Sequence, residues 1–122
     1  MERVFFFLGA ISGFLSVALG AFGAHALKSR LPVEQFNIFE VGVRYQIMHT
    51  LALLAVAAAF ARFSNPFMSA SGWLFIAGTI IFSGSLYILA LSGIRYWGAV
   101  TPVGGLILLT GWVSLGMGVL KG

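Results

Sequence analysis

The chain has 122 residues, of which 60% are hydrophobic and 8% charged, with seven Lys or Arg, three Glu and no Asp. A soluble domain carries about 25% charged residues, so these few charges cannot cover a water-exposed surface, and a soluble enzyme domain is excluded. The absence of cysteine excludes disulfides, thiolate metal sites and cysteine nucleophiles, and the net charge of +4 comes from scattered residues that give no support to nucleic-acid binding.

Charged residues bracket four apolar stretches, which predict spans at about 4–27, 45–61, 67–91 and 97–120 within a single membrane domain, 1–122. Backbone groups in lipid must be satisfied internally, and these runs lack period-2 alternation, so helices are predicted rather than barrel strands. The first stretch ends in Ala24-His25-Ala26, which has the small-x-small form of a signal-peptide cleavage site. Its apolar run of about 20 residues exceeds the 7–15 of a signal peptide, so we read a retained helix.

Residues 28–44 form the only sizeable connection. Leu31-Pro32 followed by Glu34 reads as a helix start, since proline is preorganised at the first helical position and a carboxylate suits the N-terminal dipole. Two forms fit: one long helix emerging from the membrane, or a short interfacial helix leading into the second span. Glu40 and Arg44, four residues apart in the favourable order, read as a solvated helix edge. In the fourth stretch Thr101-Pro102 predicts a break or kink between Gly98 and Pro102.

The fold expected is all-α: an antiparallel four-helix integral membrane bundle with an amphipathic helical segment between helices 1 and 2. Small residues let helix backbones approach in lipid. Gly9, Gly13, Ser16 and Gly20 form one stripe on the first helix, and Gly104, Gly111 and Gly118 share a face of the fourth, so both are read as packing surfaces. Three cations at one end face three or four at the other, which leaves orientation nearly unbiased. Arg3 ahead of a long apolar run resembles a signal anchor, which places both termini in the cytoplasm.

Polar residues inside spans are costly and mark candidate sites. His25, Tyr45, Gln46, His49, Ser83, Ser85, Tyr87 and Thr101 all fall toward one end of the bundle. His25 near the end of the first span and His49 near the start of the second are expected at similar depth, side by side. Neutral imidazoles bind metal or haem or relay protons; equally, each holds its helix in register by bonding a neighbouring carbonyl or hydroxyl. No carboxylate pair, nucleophile triad or phosphate loop is present. No cofactor is assigned, and metal or haem at His25 and His49 stays open.

Gly20-Ala21-Phe22-Gly23-Ala24-His25-Ala26-Leu27, Tyr45-Gln46 with His49, Phe82-Ser83-Gly84-Ser85-Leu86-Tyr87, and Thr101-Pro102 with Gly104-Gly105 and Gly111-Trp112 together resemble the small membrane proteins of domain-of-unknown-function family 423. The resemblance runs through nearly the whole chain. It implies a four-helix protein of the bacterial cytoplasmic membrane, with mitochondrial relatives in animals, and implies no activity. Three functions remain: an accessory or structural subunit packed by its glycine faces against the bilayer, a second copy or a larger membrane complex; a ligand-, metal- or haem-binding module on His25 and His49; and an oligomeric small-solute or ion conduit. The first needs the fewest assumptions.

Overall fold

The computed structural model describes every residue, Met1–Gly122, and contains four long helices and no strand. Helix α1 spans Glu2–Phe22, α2 Val33–Ala59, α3 Pro66–Ser92 and α4 Thr101–Lys121. All four are long and apolar enough to cross a membrane when the short turns at Gly23–Leu27 and Arg95–Ala99 are counted with α1 and α4.

Local chemistry explains the ends. The end of α1 widens into a π-helical turn, with Lys28 N–H bonded to Gly23 O at 3.0 Å across five residues. Helix α2 starts directly after Pro32 and runs unbroken for 27 residues with Glu34 in its first turn. Of the two forms open for residues 28–44, the protein therefore takes the long continuous helix, and the amphipathic segment is its first three turns. Asn65 caps α3 by accepting from Met68 N–H at 3.1 Å, with Pro66 behind it. The same side chain donates to Gly118 O at 2.9 Å, tying the start of α3 to the end of α4. Helix α3 stops at Gly93, whose φ of 71° is the left-handed conformation that glycine adopts without strain. Residues Arg95–Ala99 form a 3-10 turn, and α4 begins at Thr101-Pro102, so the fourth span is broken before the proline rather than kinked at it.

Successive helices are antiparallel neighbours: α1 packs on α2, α2 on α3 and α3 on α4. Glycines set the registers. Gly9, Gly13 and Gly20 of α1 and Gly23 of the π-helical turn face Leu54, Thr50, Val43 and Phe39 of α2. Gly78 of α3 faces Leu108 of α4, while Gly104, Gly111 and Gly118 face Phe82, Phe75 and Met68. A Cβ at Gly104 would run into the backbone nitrogen of Phe82. The glycine stripes read from the sequence thus lie against the protein's own neighbouring helices, and Ser16, 1% exposed, bonds Ser12 O at 2.7 Å within α1.

Two apolar clusters result. One holds Phe5, Leu53, Val56, Met68, Phe75 and Leu108 toward the chain termini. A smaller one holds Leu27, Phe39, Val43 and Ala90 at the other end. Of the four long helices α1 is the least embedded, burying only Phe5, Gly9 and Ser16.

Candidate functional site

A layer of polar side chains lies between the two apolar clusters. Tyr87 Oη donates to Gln46 Oε1 at 2.6 Å, and Gln46 Nε2 donates to Ser12 O at 3.1 Å. Ser12 Oγ and Thr50 Oγ1 are 2.6 Å apart, which closes a chain of bonds across α3, α2 and α1. Ser83 Oγ donates to Gly42 O at 2.7 Å, and that close approach is open because a Cβ on Gly42 would meet the Tyr87 ring. Toward the Arg95–Ala99 turn, Ser85 Oγ and Thr101 Oγ1 are 2.6 Å apart and join α3 to α4.

His49 stands at the centre of a second group. Trp112 Nε1–H donates to His49 Nε2 at 3.0 Å. Indole nitrogen is a donor only, so Nε2 must be the acceptor and the imidazole proton sits on Nδ1. Nδ1 in turn donates to Tyr45 O, 2.9 Å away in the preceding turn of α2. The Phe75 and Trp112 rings meet edge-on, with centroids 5.0 Å apart, beside the imidazole. Tyr45 stacks along the same helix and packs on Phe82, its centroid 4.8 Å from that ring.

Two clefts flank this layer. A cleft of about 430 Å³ opens between α1 and α3 over α2, with Ser12, Gln46, His49, Thr50, Ser83 and Tyr87 in its lining. A second lies between α2 and α4 and is lined by Tyr45, His49, Phe82, Pro102 and Trp112 among others. No buried side-chain nitrogen or oxygen lacks a hydrogen-bond partner, so the buried polar groups are satisfied within the chain.

The shared two-histidine site expected from the sequence is not formed. His25 lies in the π-helical turn and is exposed. Because α2 starts at Val33, His49 is midway along that helix rather than five residues into it. The α1–α2 register sets Gly13 against Thr50 and Gly23 against Phe39. The histidines are therefore offset by about eleven residues, or about 16 Å at 1.5 Å per residue. Both ring nitrogens of His49 are also occupied. No three His, Cys, Asp or Glu side chains converge as a metal site. The remaining candidates separate into the Gln46–Tyr87 chain, the Ser83–Gly42 contact, the Ser85–Thr101 pair and the Tyr45–His49 pair.

Thr50, Ser12 and Trp112 complete these groups, and the sequence reading did not select them as site residues. Thr50 follows Gln46 by four residues and shares its helix face, a spacing that could have revealed it. Trp112 stood out only through the Gly111-Trp112 pair of the family resemblance, which gave it no polar role.

A family model described as "Protein of unknown function (DUF423)" matches residues 19–105. The chain is 44% identical over 120 residues to the UPF0382 inner membrane protein YgdD of Escherichia coli strain K12, covering 98% of this chain and 92% of that one. It is 40% identical over 120 residues to the UPF0382 membrane protein YwdK of Bacillus subtilis strain 168, covering 98% of each. A UPF0382 membrane protein of Staphylococcus saprophyticus is 42% identical over 119 residues. No solved structure matches.

Proposed function

Because the chain belongs to the DUF423 family, whose relatives are bacterial membrane proteins, we propose a role drawn from its geometry: a non-catalytic accessory protein of the bacterial cytoplasmic membrane. The observation that carries this reading is that every buried side-chain nitrogen and oxygen of its polar layer has a partner within the chain. A general acid, base or metal ligand needs a lone pair or proton free to meet a substrate. Here Gln46, His49, Thr50, Ser83 and Tyr87 are bonded to other groups of the same chain. Such a layer specifies helix pairing and leaves the outward faces to lipid or a partner. We place both termini on the cytoplasmic side.

Purification from native membranes tests the reading. The expected product has no visible absorbance and no stoichiometric metal, and membrane crosslinking gives a discrete adduct that is recovered again when the partner carries the tag. A stoichiometric haem or metal overturns it.

A second reading rests on the cleft between α1 and α3. Its volume of about 430 Å³ lies within the range of small-molecule sites. A hydrophobic small molecule that co-purifies and is displaced by Gly84→Phe in the cleft wall would favour a binding module instead.

A further inference from the structure

The helix registers fix the height of each charged side chain. Arg3 in α1, Arg62 just beyond α2 and Lys121 at the end of α4 lie at one end of the bundle. About 20 residues at 1.5 Å each cross a hydrocarbon layer of about 30 Å. Counted from Arg3, that distance ends at Gly23, where α1 loosens into its π-helical turn and faces Phe39. The polar boundary at this end therefore passes through Phe39 and Glu40, and the first turns of α2 project beyond it.

Arg44 lies one helical turn inside that boundary. Side chains lean toward the N-terminus of their helix, and the N-terminus of α2 points outward here. The Arg44 stem thus reaches toward the headgroup layer, the usual course for a long cation at a helix end. Glu40 and Arg44 line a cleft of about 260 Å³ together with Gly20, Gly23, Val43 and Ile47. Both charged residues are exposed. They have the spacing of a helical ion pair, yet no salt bridge joins them within 4.0 Å.

We propose that this cleft binds the headgroup of a zwitterionic aminophospholipid, with its phosphate on Arg44 and its ammonium on Glu40. The order of charges along the membrane normal matches: the cation is deeper and the anion lies about 6 Å farther out, one turn of helix. A guanidinium fits phosphate oxygens through paired N–H groups. A carboxylate accepts N–H bonds from a primary ammonium, whereas a quaternary choline has none to give. Gly20, Gly23 and Ala24 form the α1 side of the cleft, and Ile47, 42% exposed, offers an apolar wall below for the acyl chain. The site lies on the opposite side of α1 from the cleft between α1 and α3 and is independent of the accessory role.

The test is native mass spectrometry of the full chain released from nanodiscs of equal parts dioleoyl-phosphatidylethanolamine, -phosphatidylcholine and -phosphatidylglycerol. One phosphatidylethanolamine should stay on each chain, favoured roughly tenfold over phosphatidylcholine, the scale of one charge-assisted hydrogen bond. Glu40→Gln should abolish that preference. Arg44→Gln should lose all three lipids, and Arg44→Lys, which keeps the charge, should keep the order. Equal retention of the three lipids by the unmodified chain overturns the proposal, as does an unchanged order in a helical Glu40→Gln variant. So does a lipid-free dimer, which would assign this face to a second copy. If a variant fails to fold, photoreactive phosphatidylethanolamine on the unmodified chain decides: adducts within 20–24 and 39–47 support the site, and adducts elsewhere overturn it.

Discussion

Trp112 Nε1 and His49 Nε2 are 3.0 Å apart, and this bond links α4 to α2 across 63 residues of sequence. Helix α3 lies between α2 and α4 in the order of packing, so the bond clamps three helices through their outer pair. Trp112→Phe would keep the ring and remove the donor, leaving a buried acceptor unpaired. The expected loss is about 1–3 kcal/mol in detergent unfolding. His49→Ala combined with Trp112→Phe should cost less than the sum of the two single changes. Nitrogen NMR should find the His49 proton on Nδ1; a proton on Nε2 would contradict the bond.

His25→Ala should leave stability within about 0.5 kcal/mol, because the side chain is exposed and outside both polar groups. A loss comparable to that of His49→Ala would show that the histidines act together after all.

Tyr87→Phe removes the donor to Gln46 Oε1 and should cost about 1–3 kcal/mol. Ser12→Ala acts at the other end of the same chain of bonds, and the two changes should be non-additive. Additive losses in thermal unfolding would mean that the chain does not act as a unit.

Gly104→Leu and Gly111→Leu should each cost about 1–3 kcal/mol through overpacking, the first more severely because its obstacle is Phe82 backbone. Gly116→Leu is the control: nothing lies within 4 Å of a Cβ there, so stability should hold. Equal losses at all three positions would point to helix propensity or lipid contact instead of packing.

The chain has no cysteine, so single cysteines report topology directly. Ser29→Cys and Ser64→Cys should label from opposite faces of the membrane with an impermeant maleimide, and Ser64→Cys from the face that holds the termini. Labelling of both from one face would refute four spans.

The helices were legible because charges bracket apolar runs, and the start of α2 was written in Leu31-Pro32 and Glu34. The depth of His49 was not. Placing the second span at 45 treated residues 33–44 as lying outside the membrane, and helix length alone moved the histidine to mid-bundle. Periodicity identifies a face but not the height at which it meets another helix. That height came from glycines of α1, α3 and α4, and Gly72 and Gly78 had no visible counterpart until Phe5 and Leu108 were seen against them. Thr50 was passed over because a threonine sits in an apolar run without disturbing it.

Gly104, Gly111 and Gly118 recur every seven residues, and each meets α3. A straight α-helix drifts only about 20° per heptad from such a repeat, so the three glycines stay on one face of α4 along its contact with α3. The length of this hairpin is consequently quantised. Inserting one residue between Gly104 and Gly118 rotates everything beyond it by about 100° and turns the remaining glycines away from α3. Inserting seven restores the face. Length variation among proteins that keep this hairpin should therefore fall in the connections or arrive in whole heptads.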